Sequence, residues 1–129
     1  MTHAHSPGFL KLVEETRPHV KHFSIDEFLA RLEAGEHYVL VDVREESEWA
    51  RGHVPSAHHL SKGIIEREIE QAIPETDTPI VLYCGGGYRS ILTADNLQKM
   101  GYTNVISLDG GWRDWTQRGL PTAPPGATG

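Results

Sequence analysis

Apolar positions along this chain switch repeatedly between a helical period and short unbroken runs, and that switching outlines the elements. Ser24-Ile25-Asp26-Glu27 has capping-box spacing, and Ile25, Phe28, Leu29 and Leu32 then fall on one helical face before Gly35. His37-Tyr38-Val39-Leu40-Val41 reads as a strand. Glu45 to Ala50 can form a turn or two of helix, followed by the turn Gly52-His53-Val54-Pro55 and a short strand at His58-His59-Leu60. Ile64, Ile65, Ile69, Ala72 and Ile73 mark a helix that Pro74 ends. Pro79 to Tyr83 is a strand, Ser90 to Met100 a helix closed by Gly101, Asn104 to Leu108 a strand, and Trp112 to Arg118 a helix. Phe9 to Val20 has weaker helical spacing that Pro18 interrupts, so a short helix packed on the domain and a partly ordered arm both remain open. The end from Pro121 to Gly129 is rich in Pro, Gly and Ala and is expected to be loose.

Strands alternating with helices predict an α/β fold with a parallel sheet covered on both faces. Sites in such sheets form beyond the carboxyl ends of strands, where this chain places Cys84 and Asp42-Val43-Arg44. With 129 residues the chain is sized for one domain. Its 12 Lys and Arg against 18 Asp and Glu leave a formal charge of −6, and no basic stripe points to nucleic acid or an anionic membrane. A single cysteine forms no internal disulfide, which fits the reducing cytoplasm as the expected location. Neither a signal peptide nor a membrane span is expected from the pattern.

The junction at Cys84 carries the strongest chemical signal. A thiol at a strand's end, followed by Gly85-Gly86-Gly87-Tyr88-Arg89-Ser90 and then a helix, meets converging backbone N–H groups and a helix dipole. Both favour the thiolate, which is the nucleophilic form. Glycines let the backbone turn tightly there, and Arg89 brings a fixed positive charge. The bland alternative is a buried structural cysteine beside a flexible turn.

Five blocks, in order, resemble the rhodanese (sulfurtransferase) domain family: Val41-Asp42-Val43-Arg44, Gly52 to Ala57, Cys84 to Ser90, Leu108 to Trp115, and Gly119-Leu120-Pro121. The resemblance covers roughly Phe23 to Pro121. It divides the chain into an N-terminal extension over 1–22, a rhodanese-like domain over 23–121 and a flexible tail over 122–129. It implies a three-layer α/β/α sandwich around a mainly parallel five-stranded sheet. It further implies that Cys84 takes a sulfane sulfur from a donor such as thiosulfate as a persulfide and passes it to an acceptor such as cyanide or a thiol. Glutathione persulfide, a desulfurase and a protein persulfide carrier are further candidate partners.

On that reading Cys84 is the nucleophile, and the N–H groups of Gly85, Gly86, Gly87, Tyr88, Arg89 and Ser90 hold its persulfide. Arg89 either grips the sulfite part of thiosulfate or pins the loop through a salt bridge, and Ser90 either donates to the sulfur or caps its helix. Tyr88 is expected to form a pocket wall or to pack toward solvent. Asp42 and Arg44 are expected to brace the loop as a structural pair, Trp112 and Trp115 to pack the last helix, and His53 to fix its turn. No metal or organic cofactor is called for: His3 with His5, and His58 with His59, lack the spacing of a ligand set. A phosphatase or arsenate reductase of related fold is one rival, but such enzymes place five residues between cysteine and arginine, whereas four separate Cys84 from Arg89 here. A non-catalytic binding or regulatory module is the other rival, and it usually lacks the cysteine that this chain keeps.

Overall fold

A computed structural model describes residues 5–124. His3 and residues 125–129 lie outside that range. The first helix, α1 (Pro7–Thr16), leads through a 3₁₀ turn at Arg17–His19 into β1 (Lys21–Phe23). Then follow α2 (Ile25–Glu33), β2 (Val39–Asp42), α3 (Glu46–Ala50), β3 (His58–His59), α4 (Ile65–Ala72), β4 (Ile80–Tyr83), α5 (Arg89–Lys99), β5 (Val105–Leu108) and α6 (Gly111–Gln117). The five strands form one sheet in the order β1-β5-β4-β2-β3, and every pairing is parallel. Each expected helix and strand forms within a residue or two of its sequence position, and β1 is additional.

The central strand β4 is buried on both faces, as a parallel sheet covered by helices requires. Its side chains alternate between two cores. Ile80, Leu82 and then Cys84 join Val13, Ile65, Ile69, Ile91 and Leu97 beneath α1, α4 and α5. Val81 and Tyr83 join Phe28, Ile106, Leu108 and Trp115 beneath α2 and α6. A fully buried Ile such as Ile65 or Ile69 contributes about 1.5–3 kcal/mol relative to an exposed one. The two-residue period therefore decides which helices surround the cysteine.

Local signals fix the helix ends. Ser24 Oγ accepts the Glu27 N–H at 3.1 Å, but Glu27 turns its carboxylate to Arg31 instead of closing the box. At the end of α5, Gly101 adopts φ +106° while the Tyr102 N–H reaches the Leu97 carbonyl, a left-handed helix stop. The segment before the domain resolves toward packing: α1 docks on α5 with Val13 fully buried. The start of the tail is also held, because Trp115 Nε1 donates to the Pro121 carbonyl at 2.8 Å and Ala123 bridges to His53.

Candidate active site

Cys84 leaves β4 at its carboxyl end with only 1 % of its surface exposed. Its Sγ accepts the Gly87 N–H at 3.1 Å, and Gly87 reaches that position with φ +97°. The Ser90 hydroxyl lies 3.6 Å from Sγ and 2.8 Å from the hydroxyl of Ser107, a fully buried residue of β5. The sulfur thus sits against one backbone donor and a hydroxyl whose own partner is supplied by the neighbouring strand.

From behind, α6 grips the loop. The Trp112 and Arg113 amides donate to the carbonyls of Cys84 and Gly85 at 2.8 and 2.9 Å. That approach needs glycine at 111: a Cβ there would collide with the Cys84 carbonyl oxygen, and its φ is +52°. In front, Cys84, Gly85, Gly86, Tyr88 and Arg89 open onto a cleft of about 410 Å³. A second hollow of about 400 Å³, between β3 and the end of α4, is lined by Val39, His58, His59, Leu60, Ile73 and Pro74 and does not include the cysteine.

Arg89 does not project alone into the cleft. Its Nη1 and Nη2 bond the two carboxylate oxygens of Glu48 at 2.9 and 3.1 Å. Glu48 also accepts the Glu45 N–H at 2.9 Å, so one side chain closes the α3 capping box and braces the cysteine loop. Hydrogen bonding from Arg89 holds the Glu48 carboxyl below its ordinary range against an opposing effect of burial. Glu48 in turn holds Arg89 more firmly protonated, with a lesser pull in the same direction from Cys84.

The sign of the pH effect follows from the depressed carboxyl. The pair contributes fully above the ordinary glutamate value of about 4.3 and fades as pH falls through the lower folded value. Both side chains are more than a quarter exposed, so the contribution is at most about 1 kcal/mol. Glu48→Gln is therefore expected to lower Tm slightly at pH 7, with the gap to wild type closing toward pH 3. A gap that stays constant in thermal melts down to that pH would refute this charge pairing.

Asp42 and Arg44 form a buried pair at the end of β2. Arg44 Nε lies 3.1 and 3.0 Å from the two Asp42 oxygens, and Nη2 donates at 2.8 Å to Asp42 and at 2.8 Å to the Gly52 carbonyl. The Arg44 guanidinium stacks over Trp112 at 4.6 Å, and the Trp112 amide holds the Cys84 carbonyl. The pair thus reaches the cysteine loop through one intervening residue, Trp112. Tyr83, beside it, receives the Val54 N–H at 3.1 Å, and burial first, then Asp42, keep its hydroxyl neutral.

Three of the described histidines pack against aromatic rings. His53 stacks on Trp49 at 3.5 Å in the turn it was expected to fix, with its Nε2 buried and without a partner among the described residues. His59 stacks on the same ring and donates to the Arg44 carbonyl at 2.8 Å. His5 packs against Tyr88 at 4.7 Å, which makes Tyr88 a cleft wall. Trp115 packs α6 into the core, and the half-buried Trp112 packs on the same cluster with the Arg44 guanidinium over its ring.

Sequence reasoning missed Glu48, Ser107, Arg113, His5 and Phe9. A polar residue inside Val105-Ile106-Ser107-Leu108 was a readable sign for Ser107, and Glu45 with Glu48 has capping-box spacing. Nothing local marked Arg113 or the arm residues.

The family model for the rhodanese-like domain matches residues 24–118. A sulfurtransferase of Allochromatium vinosum is 37% identical over 74% of this chain and 87% of its own length. Thiosulfate sulfurtransferase GlpE of Vibrio cholerae is 31% identical over 80% of this chain and 94% of its own. Coverage is smaller for YrkF of Bacillus subtilis, 30% identical, of which the chain spans 54%. A solved structure from Rhodopseudomonas palustris, a protein of unknown function suggested as a tyrosine phosphatase, superposes with a TM-score of 0.80 at 26% identity, covering 95% of this chain and 99% of that one.

Proposed function

Since the chain belongs to the rhodanese-like domain family and is similar along most of its length to sulfurtransferases, we propose that it moves a sulfane sulfur through a Cys84 persulfide, with thiosulfate as a competent donor. The observation that carries this reading is the setting of the sulfur. Sγ meets the Gly87 N–H and the Ser90 hydroxyl, while the Ser107 hydroxyl behind can donate to Ser90 and free its proton for the sulfur.

The cycle has two displacements. The Cys84 thiolate attacks the outer sulfur of thiosulfate, the new Sγ–S bond forms, and the old S–S bond breaks with its electron pair leaving on sulfite. An acceptor such as cyanide then attacks the outer sulfur of the persulfide and restores the thiolate. Both resting forms of the site are anionic, which suits a loop whose donors face the sulfur. Since no second cysteine exists in the sequence, the sulfur leaves to an external acceptor. Arg89 braces the loop through Glu48, and Asp42 with Arg44 supports it through Trp112.

The phosphatase suggestion for the Rhodopseudomonas structure fits this chain poorly. Its loop has only four residues between Cys84 and Arg89, and Arg89 is committed to Glu48 rather than offered to an oxyanion.

Intact mass spectrometry tests the proposal. Incubation with thiosulfate should add one sulfur atom to the wild type, and cyanide should remove it. A folded, reduced protein that gains no sulfur from thiosulfate or from a persulfide donor would overturn the reading in favour of a binding module.

A further inference from the structure

The chemistry above makes no use of the segment ahead of the family match, yet that segment reaches the cleft. The alternation of β4 sends Cys84 to the same face as α1, in the core that contains Val13 and Ile91. Burial of Val13 fixes α1 on α5, so the start of α1 overhangs the loop. There Phe9 meets the Tyr88 ring edge-on at 6.3 Å, and His5 packs on both, 5.2 Å from Phe9 and 4.7 Å from Tyr88. These three rings line the same cleft as Cys84, Arg89 and Arg113.

Size and charge together select the ligand. A cleft of about 410 Å³ lies in the range that organic ligands fill, whereas thiosulfate, with five heavy atoms, would leave the ring wall uncovered. Arg89 is neutralised by Glu48. Arg113 makes no ion pair among the described residues, and its Nη2 lies 3.5 Å from where a Gly86 Cβ would stand, so the guanidinium hangs over the loop. An uncompensated guanidinium suits a carboxylate, and a ring wall suits amide planes and methylenes.

We propose that the α1 arm is part of the donor site: His5 and Phe9, packed on Tyr88, hold the organic body of a carboxylate-bearing persulfide, and Arg113 pairs with its carboxylate. This rests on the sulfurtransferase reading and narrows its donor. In the transfer, the Cys84 thiolate attacks the outer sulfur of R–S–SH. The Sγ–S bond forms, the donor S–S bond breaks, its electron pair leaves on R–S⁻, and the hydrogen stays on the transferred sulfur.

Steady-state kinetics of the full chain, with glutathione persulfide and thiosulfate as alternative donors, tests this. His5→Ala and Phe9→Leu should each lower the ratio of kcat/KM for glutathione persulfide to that for thiosulfate, and together by about tenfold or more. Arg113→Gln should raise KM for glutathione persulfide more than it lowers kcat. Leu12→Ala, on the exposed side of α1, should leave the ratio alone. His5 is exposed, so His5→Ala reads contact without a folding defect. An unchanged ratio in both arm variants, or an equal fall in Leu12→Ala, would overturn the proposal. A wild type that takes sulfur from thiosulfate but not from glutathione persulfide would overturn it while sparing the sulfurtransferase reading. Uptake from neither donor would sink both.

Discussion

Cys84→Ser is expected to lower sulfur transfer by about 10³-fold or more while leaving the melting temperature close to wild type. A serine hydroxyl is far less acidic than a thiol and forms no persulfide, so both displacements lose their nucleophile. The fold has little reason to change. The residue is at the end of the strand, its backbone carbonyl stays bonded to the Trp112 amide, and serine is slightly smaller than cysteine. The lost contact is between Sγ and the Gly87 N–H, which a hydroxyl oxygen also accepts. Initial-rate assays with thiosulfate and cyanide, beside thermal melts, separate the two effects. Residual activity within tenfold of wild type would show that sulfur passes without Cys84, and the covalent cycle would fall.

Arg44→Ala should damage stability and activity together. Asp42 is fully buried and Arg44 is 3 % exposed, so removing the guanidinium leaves a carboxylate in the interior without its cationic partner, held by the residue 44 amide and beside the Tyr83 hydroxyl. Breaking a buried pair in this way costs about 3–5 kcal/mol, and the orphaned Gly52 carbonyl adds to it. For a domain of this size that amounts to a fall in Tm of about 10 °C or more. The rate per folded molecule should also drop, since Trp112 loses the cation it stacks on and is itself the anchor of the Cys84 carbonyl. Two companions sharpen the reading. Arg44→Lys keeps the charge but loses the planar fork, so it should recover only part of the stability. Asp42→Leu with Arg44→Met removes both charges and should recover more of the stability than of the rate. A melt for Arg44→Ala within about two degrees of wild type would show that the pair carries little of the structure.

The sheet was readable because its inner strands are short, mostly apolar runs bounded by turn residues, and the cysteine loop because its residues are consecutive. Lys21-His22-Phe23 was not readable as β1, since only Phe23 is buried and the strand forms by backbone pairing along the edge of β5. Ser107 was conspicuous among apolar neighbours, but its partner Ser90 comes from another element. Glu48 met Arg89 only through the sheet order, which brings α3 beside a loop distant in sequence. The arm was undecided because its helical spacing is weak, and the burial of Val13 settled it. What the sequence hid was therefore partnership rather than local form.

The grip of α6 on the cysteine loop also sets which polar groups the loop can show. Its amides use up the Cys84 and Gly85 oxygens on the inner side, and only a glycine at 111 lets them come close enough. A peptide segment normally shows donors and acceptors in equal measure, but this one has its first two acceptors turned inward. The loop is thereby rectified: an anion held at the sulfur meets the Gly87 N–H, with these two carbonyl oxygens turned away and already bonded.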